Sequence, residues 1–152
     1  MRLTAKSEYG VLAMIDLACA YGTGPMSARE ISDRRQIPAR FLEQLFVTLR
    51  RAGIVTAVRG ARGGFVLAHD PAEVTVLDVV EALEGPLTSS VCDAERELTC
   101  SRSDACAASA VWSKATEALR GVFGAMTLKD LAERQSSLDE IATQEVGGKV
   151  RS

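Results

Sequence analysis

Three residues, Gln36, Ile37 and Pro38, constrain this chain most, because they force a short break between two segments that are otherwise helical. Proline disfavours helical geometry in the residue before it, yet its fixed φ suits the first turn of a new helix. Upstream, Ser27-Ala28-Arg29-Glu30 is a capping box, in which the Ser hydroxyl accepts from the amide three residues on and the Glu carboxylate reaches back. A short helix over about 28–35 follows from it. Downstream, the spacing predicts a helix over 38–52, with an apolar stripe of Leu42, Leu45, Phe46, Leu49 and Ala52. Arg50 and Arg51 fill its last turn and Gly53 stops it. Two β-prone runs, 54–58 and 65–68, are joined by Arg59-Gly60-Ala61-Arg62-Gly63-Gly64, a hairpin with a glycine-rich, doubly cationic tip. Two short helices across a tight turn followed by a hairpin make the winged helix-turn-helix pattern.

The rest of the chain reads as mainly α. Thr4 to about Tyr21 predicts a helix with Thr4 as a cap and Gly22-Thr23-Gly24-Pro25 as its stop. In that helix Cys19 falls on the apolar face and reads as core packing. A fourth helix opens at Thr75-Val76-Leu77-Asp78, runs through Leu83 and closes at Gly85-Pro86. Residues 87–106 lack apolar periodicity, which is long for a structureless loop in a compact domain. A long helix then covers about 107–126, with Ala108, Val111, Trp112, Ala115, Leu119, Val122 and Met126 at spacings of three or four. Thr127-Leu128-Lys129-Asp130 starts a short helix, and from Gln135 a frayed tail is expected. The chain thus divides into a winged helix-turn-helix domain at 1–86, a cysteine-bearing loop at 87–106, the long helix with the short one after it at 107–134, and a flexible tail at 135–152.

Charge is where composition enters. The formal net charge of −2 argues against a strongly basic nucleic-acid binder. By position the inference reverses, since residues 1–65 carry ten basic and five acidic side chains and residues 66–152 carry eight and fifteen. The basic half is the half with the helix-turn-helix. Pro38 and Ala39 open the second helix of the pair, and its first turns present Arg40, Glu43 and Gln44 away from the apolar stripe. Arg forks onto guanine, Gln pairs with adenine, and a carboxylate accepts from cytosine N4. The same residues would also simply solvate an exposed helix face. Arg59 and Arg62 among the tip glycines suit a minor groove or phosphate, although glycine-rich tips also serve turn geometry alone. Ser27, Ala28 and Arg29 add helix-start amides and a cation for a phosphate. Together these features predict a protein that binds double-stranded DNA.

Four cysteines are too few for a disulfide-dense secreted scaffold, and Cys92, Cys100 and Cys106 cluster as C-x7-C-x5-C. Structural zinc sites use close C-x2-C pairs and four ligands, whereas the single His, His69, lies in the wing segment. An iron–sulfur cluster needs thiolates and tolerates wider spacing. Three cysteines leave one position for Glu8, Asp93, Glu95, Glu97, Asp104, Ser109 or a small molecule. Unliganded or directly redox-sensing thiols are the other readings. A thiol-redox or metal-handling enzyme would need a C-x-x-C pair or a base beside the thiols, and neither is present. No apolar run approaches the roughly 18 residues that cross a bilayer, so the expectation is a soluble, cytoplasmic regulator without membrane contact.

The opening Met1-Arg2-Leu3-Thr4, the stretch Phe41-Leu42-Glu43-Gln44-Leu45-Phe46, the run Gly53-Ile54-Val55 leading to Val58-Arg59-Gly60-Ala61-Arg62-Gly63-Gly64-Phe65, and the helix from Thr75 to Ala82 resemble the Rrf2 family of regulators, the group of IscR-, NsrR- and RirA-like proteins. The likeness spans roughly residues 1–134. It implies a homodimeric winged-helix repressor of iron, iron–sulfur or redox and nitrosative-stress genes, binding a palindromic operator. The long helix would pack on its partner's, and the cysteine loop would hold an iron–sulfur cluster. It also implies a carboxylate ligand from the first helix of the other subunit, for which Glu8 is the matching position; an acidic residue there equally suits the helix dipole. The first cysteine gap, seven residues, resembles the RirA-like spacing, and Ser109 stands where IscR-like members place a His. Both features favour a 4Fe–4S cluster over 2Fe–2S.

Overall fold

The structure, a computed structural model, describes residues 3–88 and 106–149. Among them are six α-helices and one hairpin: α1 Ala5–Cys19, α2 Ala28–Arg35, α3 Ala39–Arg51, β1 Val55–Val58, β2 Gly64–Leu67, α4 Val76–Glu84, α5 Ala107–Ala125 and α6 Leu128–Lys149, with a 3₁₀ turn at Pro71–Glu73 before α4. The mainly helical winged-helix architecture is the expected one. The expected division at 87–106 lies almost wholly outside the described residues.

Local chemistry sets the elements. At the start of α2 the Ser27 hydroxyl accepts from the Glu30 amide at 3.1 Å while the Glu30 carboxylate accepts from the Ser27 amide at 2.6 Å. The break before α3 is made by Gln36 at φ 56°, a left-handed residue whose side-chain Nε2 donates to Asp33 O at 2.7 Å while its backbone amide donates to Ser32 O. At the other end of α3, Gly53 at φ 77° donates to Arg50 O and Ile54 donates to Leu49 O, both at 3.0 Å. These two bonds satisfy carbonyls that the helix end would leave open, and they deliver the chain into β1. β1 and β2 pair antiparallel with Val55 opposite Leu67 and Val58 opposite Gly64.

Leu42, Leu45, Phe46 and Leu49 of α3 join Met14 and Leu17 of α1, Ile31 of α2 and Val79 of α4 in one buried core. Leu128, the first residue of α6, is fully buried in the same core. The expected short helix and frayed tail are corrected here, because α6 continues to Lys149. It begins with a reciprocal cap, Thr127 amide to Asp130 carboxylate at 3.0 Å and Asp130 amide to Thr127 hydroxyl at 3.1 Å. Beyond Ala132 it is carried by local pairs, such as Gln135 to Asp139 at 2.8 Å, rather than by burial, and Leu138, Ile141 and Val146 are exposed. The apolar residues here, Leu138, Ile141 and Val146, are sparse and exposed, so the sequence gives only a faint sign of this helix.

Candidate functional site

The candidate nucleic-acid interface lies on α3 and the hairpin. Arg40, Glu43, Gln44, Val47, Thr48 and Arg51 of α3 are exposed, on the side opposite the four buried residues. Pro38 is the exposed cap residue and Ala39, half-buried, begins the helix. Arg59 and Arg62 are exposed on the hairpin tip, where the Gly63 amide donates to Gly60 O at 3.0 Å.

Two contacts fix the wing against α3. Phe65 of β2 stacks on Phe46 of α3, with centroids 4.1 Å apart and planes 3° from parallel. Phe65 also pairs with Met26, its amide donating to Met26 O at 2.8 Å and the Met26 amide donating back at 3.1 Å. Met26 precedes the α2 cap, so a single-residue antiparallel bridge ties the wing to the start of α2. Gly64 makes this possible, since a Cβ there would fall 2.3 Å from Met26 O. Sequence reasoning missed this bridge, which is a single residue long and has no alternation to betray it.

The start of α2 is less open to phosphate than expected. The Ser27 amide and hydroxyl are consumed by the capping box and Ala28 is buried, leaving Arg29 exposed and the Ala28 and Arg29 amides as the donors. The Glu30 carboxyl is held below the usual range by the Ser27 amide and hydroxyl, with Arg34 adding to the effect.

Behind the interface, Asp16 of α1 is 2% exposed and takes a forked pair from Arg35 of α2, Nη2 at 2.6 Å and Nε at 3.1 Å from both oxygens. The Arg35 guanidinium is raised further by these bonds, burial opposing them. This pair ties α1 to α2, the first helix of the helix-turn-helix. It joins residues nineteen apart on different helices, which no local pattern reveals.

Of the candidate ligands, Cys92 and Cys100 lie outside the described residues. Cys106 is the exposed N-cap residue of α5 and Glu8 is exposed in the first turn of α1. Thr4 occupies the expected cap position, but its hydroxyl bonds Glu84 of α4 instead of capping α1. Ser7 also donates to Glu84, at 2.8 Å, so the turn carrying Glu8 is pinned to the end of α4. Burial pushes the Glu84 carboxyl up, and the Thr4 and Ser7 hydroxyls with Lys6 outweigh it, leaving it below its ordinary value.

Glu8 lies on the rim of a groove of about 370 Å³ with an apolar wall of Val11, Leu12, Val76, Val80 and Phe123. Phe123 is near the C-terminal end of α5 and Cys106 is at its N-terminal end, about 25 Å away by the helical rise. Within one protomer the two candidate ligands therefore stand at opposite ends of α5. Among the described residues no three His, Cys, Asp or Glu side chains gather in ligating range. The exposed Cys106 thiol is a donor type that iron–sulfur clusters take, and the exposed Glu8 carboxylate is an oxygen donor that iron accepts.

Cys19 corrects the sequence reading, because it is exposed at the end of α1 rather than packed in the core. It faces a groove of about 590 Å³ with Tyr21, Pro71, Ala132 and Ser136. Partial burial, and then the neighbouring Asp16 carboxylate, push its thiol above the ordinary value, with Ser136 and Arg35 opposing. It lies about 16 Å along α1 from Glu8, outside the candidate ligand set.

None of the nineteen residues of α5 is buried. Its apolar side chains Val111, Ala115, Leu119 and Val122 fall on one stripe, in which Val111 and Val122 are exposed while Leu119, like Phe123, packs against Val76, Val80 and Leu87.

Comparison with known proteins points to one family. Residues 3–134 match the family model Rrf2, described as an iron-dependent transcriptional regulator. The chain is 37% identical over 139 residues to the HTH-type transcriptional regulator IscR of Klebsiella pneumoniae, covering 91% of this chain and 84% of that one. Among solved structures it is similar to CymR, the global cysteine regulator of B. subtilis, with TM-score 0.75 and 35% identity over 88% of this chain and 98% of the other. It is also similar to T. potens IscR, with TM-score 0.71 and 35% identity over 89% and 88%.

Proposed function

The chain belongs to the Rrf2 family of transcriptional regulators, DNA-binding proteins and not enzymes, and we propose that it is a cytoplasmic, iron–sulfur-sensing homodimer that represses genes of iron supply, cluster supply or redox and nitrosative stress. The observation that carries this reading is α5, a nineteen-residue helix with no buried residue, an apolar stripe and the candidate ligands Cys106 and Glu8 at its two ends. An apolar helix face of this length requires a partner. If two copies pair their α5 helices antiparallel, the Cys106 end of one meets the groove that carries Glu8 on the other. Cys92, Cys100 and Cys106 would then act as ligands from one subunit and Glu8 from its partner, with a 4Fe–4S cluster preferred and a 2Fe–2S cluster the alternative.

When bound, the cluster supplies a redox-labile crosslink between subunits. The protein's own residues do the rest. Glu84 holds the Glu8 turn against α4, the Asp16–Arg35 pair carries the position of α1 to α2, and the Phe46–Phe65 stack carries that of α3 to the wing. Release of the subunit tie therefore alters the spacing of two reading heads, each with α3 in a major groove and Arg59 and Arg62 at the adjacent minor groove. A palindromic operator has fixed half-site spacing, so a small shift costs affinity.

The likeness to CymR supports a second reading, in which the thiols sense without a cluster in the same DNA-binding frame. A mixed-dimer experiment tests the first. Glu8→Ala and Cys106→Ala chains are purified separately, each expected to lose the full visible absorbance after anaerobic reconstitution. Mixed, they form heterodimers with one complete ligand set, and about half of the wild-type absorbance per heterodimer returns. No recovery contradicts ligation across the subunit interface.

A further inference from the structure

Val47 is the one residue of the exposed α3 face whose chemistry neither the fold nor the assigned readers explain. At 100° per residue, Arg40, Gln44, Val47 and Arg51 fall within an arc of about 60°, opposite the buried Leu42, Leu45, Phe46 and Leu49. Val47 is 50% exposed and sits inside this otherwise polar stripe. Its neighbours are Arg50 and Arg51 of α3 and Phe46 and Phe65, which with it line a groove of about 440 Å³ between α3 and β2. Helix propensity does not select it, since a β-branched side chain is disfavoured at an exposed helix position relative to Ala or Leu.

We propose that Val47 is a sequence-reading residue that takes the C5 methyl of a thymine in the major groove. The inference rests on the DNA-reading role of α3 and deepens it. An isopropyl group has no bond to offer a phosphate or the polar edge of a base. The thymine methyl is the apolar feature that a major groove presents at a base edge, and apolar side chains recognise it. Arg50 and Arg51 in the same turn suit the flanking phosphates and would hold the helix at this depth. Val47 stands about 10 Å along α3 from Arg40, so the thymine should lie about three base pairs from the base that Arg40 reads.

The test begins by selecting duplexes from a random-sequence pool with the full-length protein. Each fixed thymine of the selected site is then replaced singly by deoxyuridine, which lacks only the methyl. One thymine per half-site is expected to weaken wild-type binding by about fourfold on replacement, the weight of one methyl withdrawn from water. Val47→Ala should bind the thymine and uracil duplexes alike, at the affinity of wild-type protein for uracil. Circular dichroism and the melting temperature confirm that this surface variant is folded. The proposal is overturned if wild-type protein ignores the substitution at every position, or if Val47→Ala keeps the wild-type ratio. A selected duplex with no thymine–uracil discrimination removes the Val47 role alone. Failure to select any duplex removes the DNA-reading role of α3 and this proposal with it.

Discussion

Replacing Gly64 by Ala tests how the wing is held. A Cβ at this position falls 2.3 Å from Met26 O, 2.4 Å from Met26 C and 2.7 Å from the Ser27 amide. All three are backbone atoms, so no rotamer change relieves the clash and β2 must move away from the start of α2. The move breaks both bonds between Phe65 and Met26, each of about 1 kcal/mol, and disturbs the Phe46–Phe65 stack, of about 1 kcal/mol. Alanine's lower unfolded-state entropy cannot offset this where the backbone is incompatible. The expected loss is about 2–3 kcal/mol, or about 5–10 °C in Tm for a chain of this size. Urea unfolding at fixed protomer concentration measures the first quantity. Fluorescence anisotropy with a labelled operator measures the second consequence, a fall of about tenfold in affinity as Arg59 and Arg62 lose their fixed placement, about 1.4 kcal/mol. A Gly64→Ala protein within 0.5 kcal/mol of wild type, roughly the scatter of surface substitutions, and with unchanged DNA affinity would refute the docking of the wing on Met26.

Three further perturbations probe other links. Asp16→Ala strands the partly buried Arg35 guanidinium and should cost about 3 kcal/mol in chemical denaturation; an effect below 1 kcal/mol, the scale of a surface pair, would show that the pair is not a structural tie. The Glu84 carboxyl lies below its ordinary value in the folded protein, so its contribution is full at neutral pH and is lost as pH falls below about 4.5 through the folded value. The stability gap between wild type and Glu84→Gln should therefore shrink across that window, and a gap independent of pH would remove the Thr4–Ser7–Glu84 contact from the account. Arg59→Ala should weaken binding more at operators whose wing positions are A·T-rich, with a narrow minor groove, than at G·C-flanked ones; equal losses in anisotropy titrations would take Arg59 out of the readout.

The helix-turn-helix was legible because its signals are local. Ser27 with Glu30, Pro38 after Ile37, and Gly53 after Arg51 each decide a helix end through bonds to near neighbours. The stripe on α3 was legible because burial there is periodic. What escaped depends on partners distant in sequence or on no burial at all. Asp16 finds Arg35 on another helix, and Thr4 gives its hydroxyl to Glu84, eighty residues away. Cys19 occupies an apolar-looking position of α1 that the packing of the later helices leaves open at its edge. The extension of α6 escaped because caps and polar side-chain pairs, not a buried face, hold it beyond Ala132.

The charge division acquires a structural meaning as well. Every proposed DNA contact lies within residues 1–65, where basic side chains outnumber acidic ones ten to five, while α5 and α6 belong to the acidic remainder. The salt dependence of DNA binding should then respond to neutralising substitutions in the first segment and not to those in α6.

The most direct measurement is the affinity of anaerobically purified protein for its selected operator, before and after removal of bound iron and sulfide, at matched salt. The account predicts a coloured protein containing both iron and sulfide, whose operator affinity changes by about tenfold or more, ~1.4 kcal/mol, on their removal. A colourless protein free of iron and sulfide, or equal affinities in the two states, would contradict it.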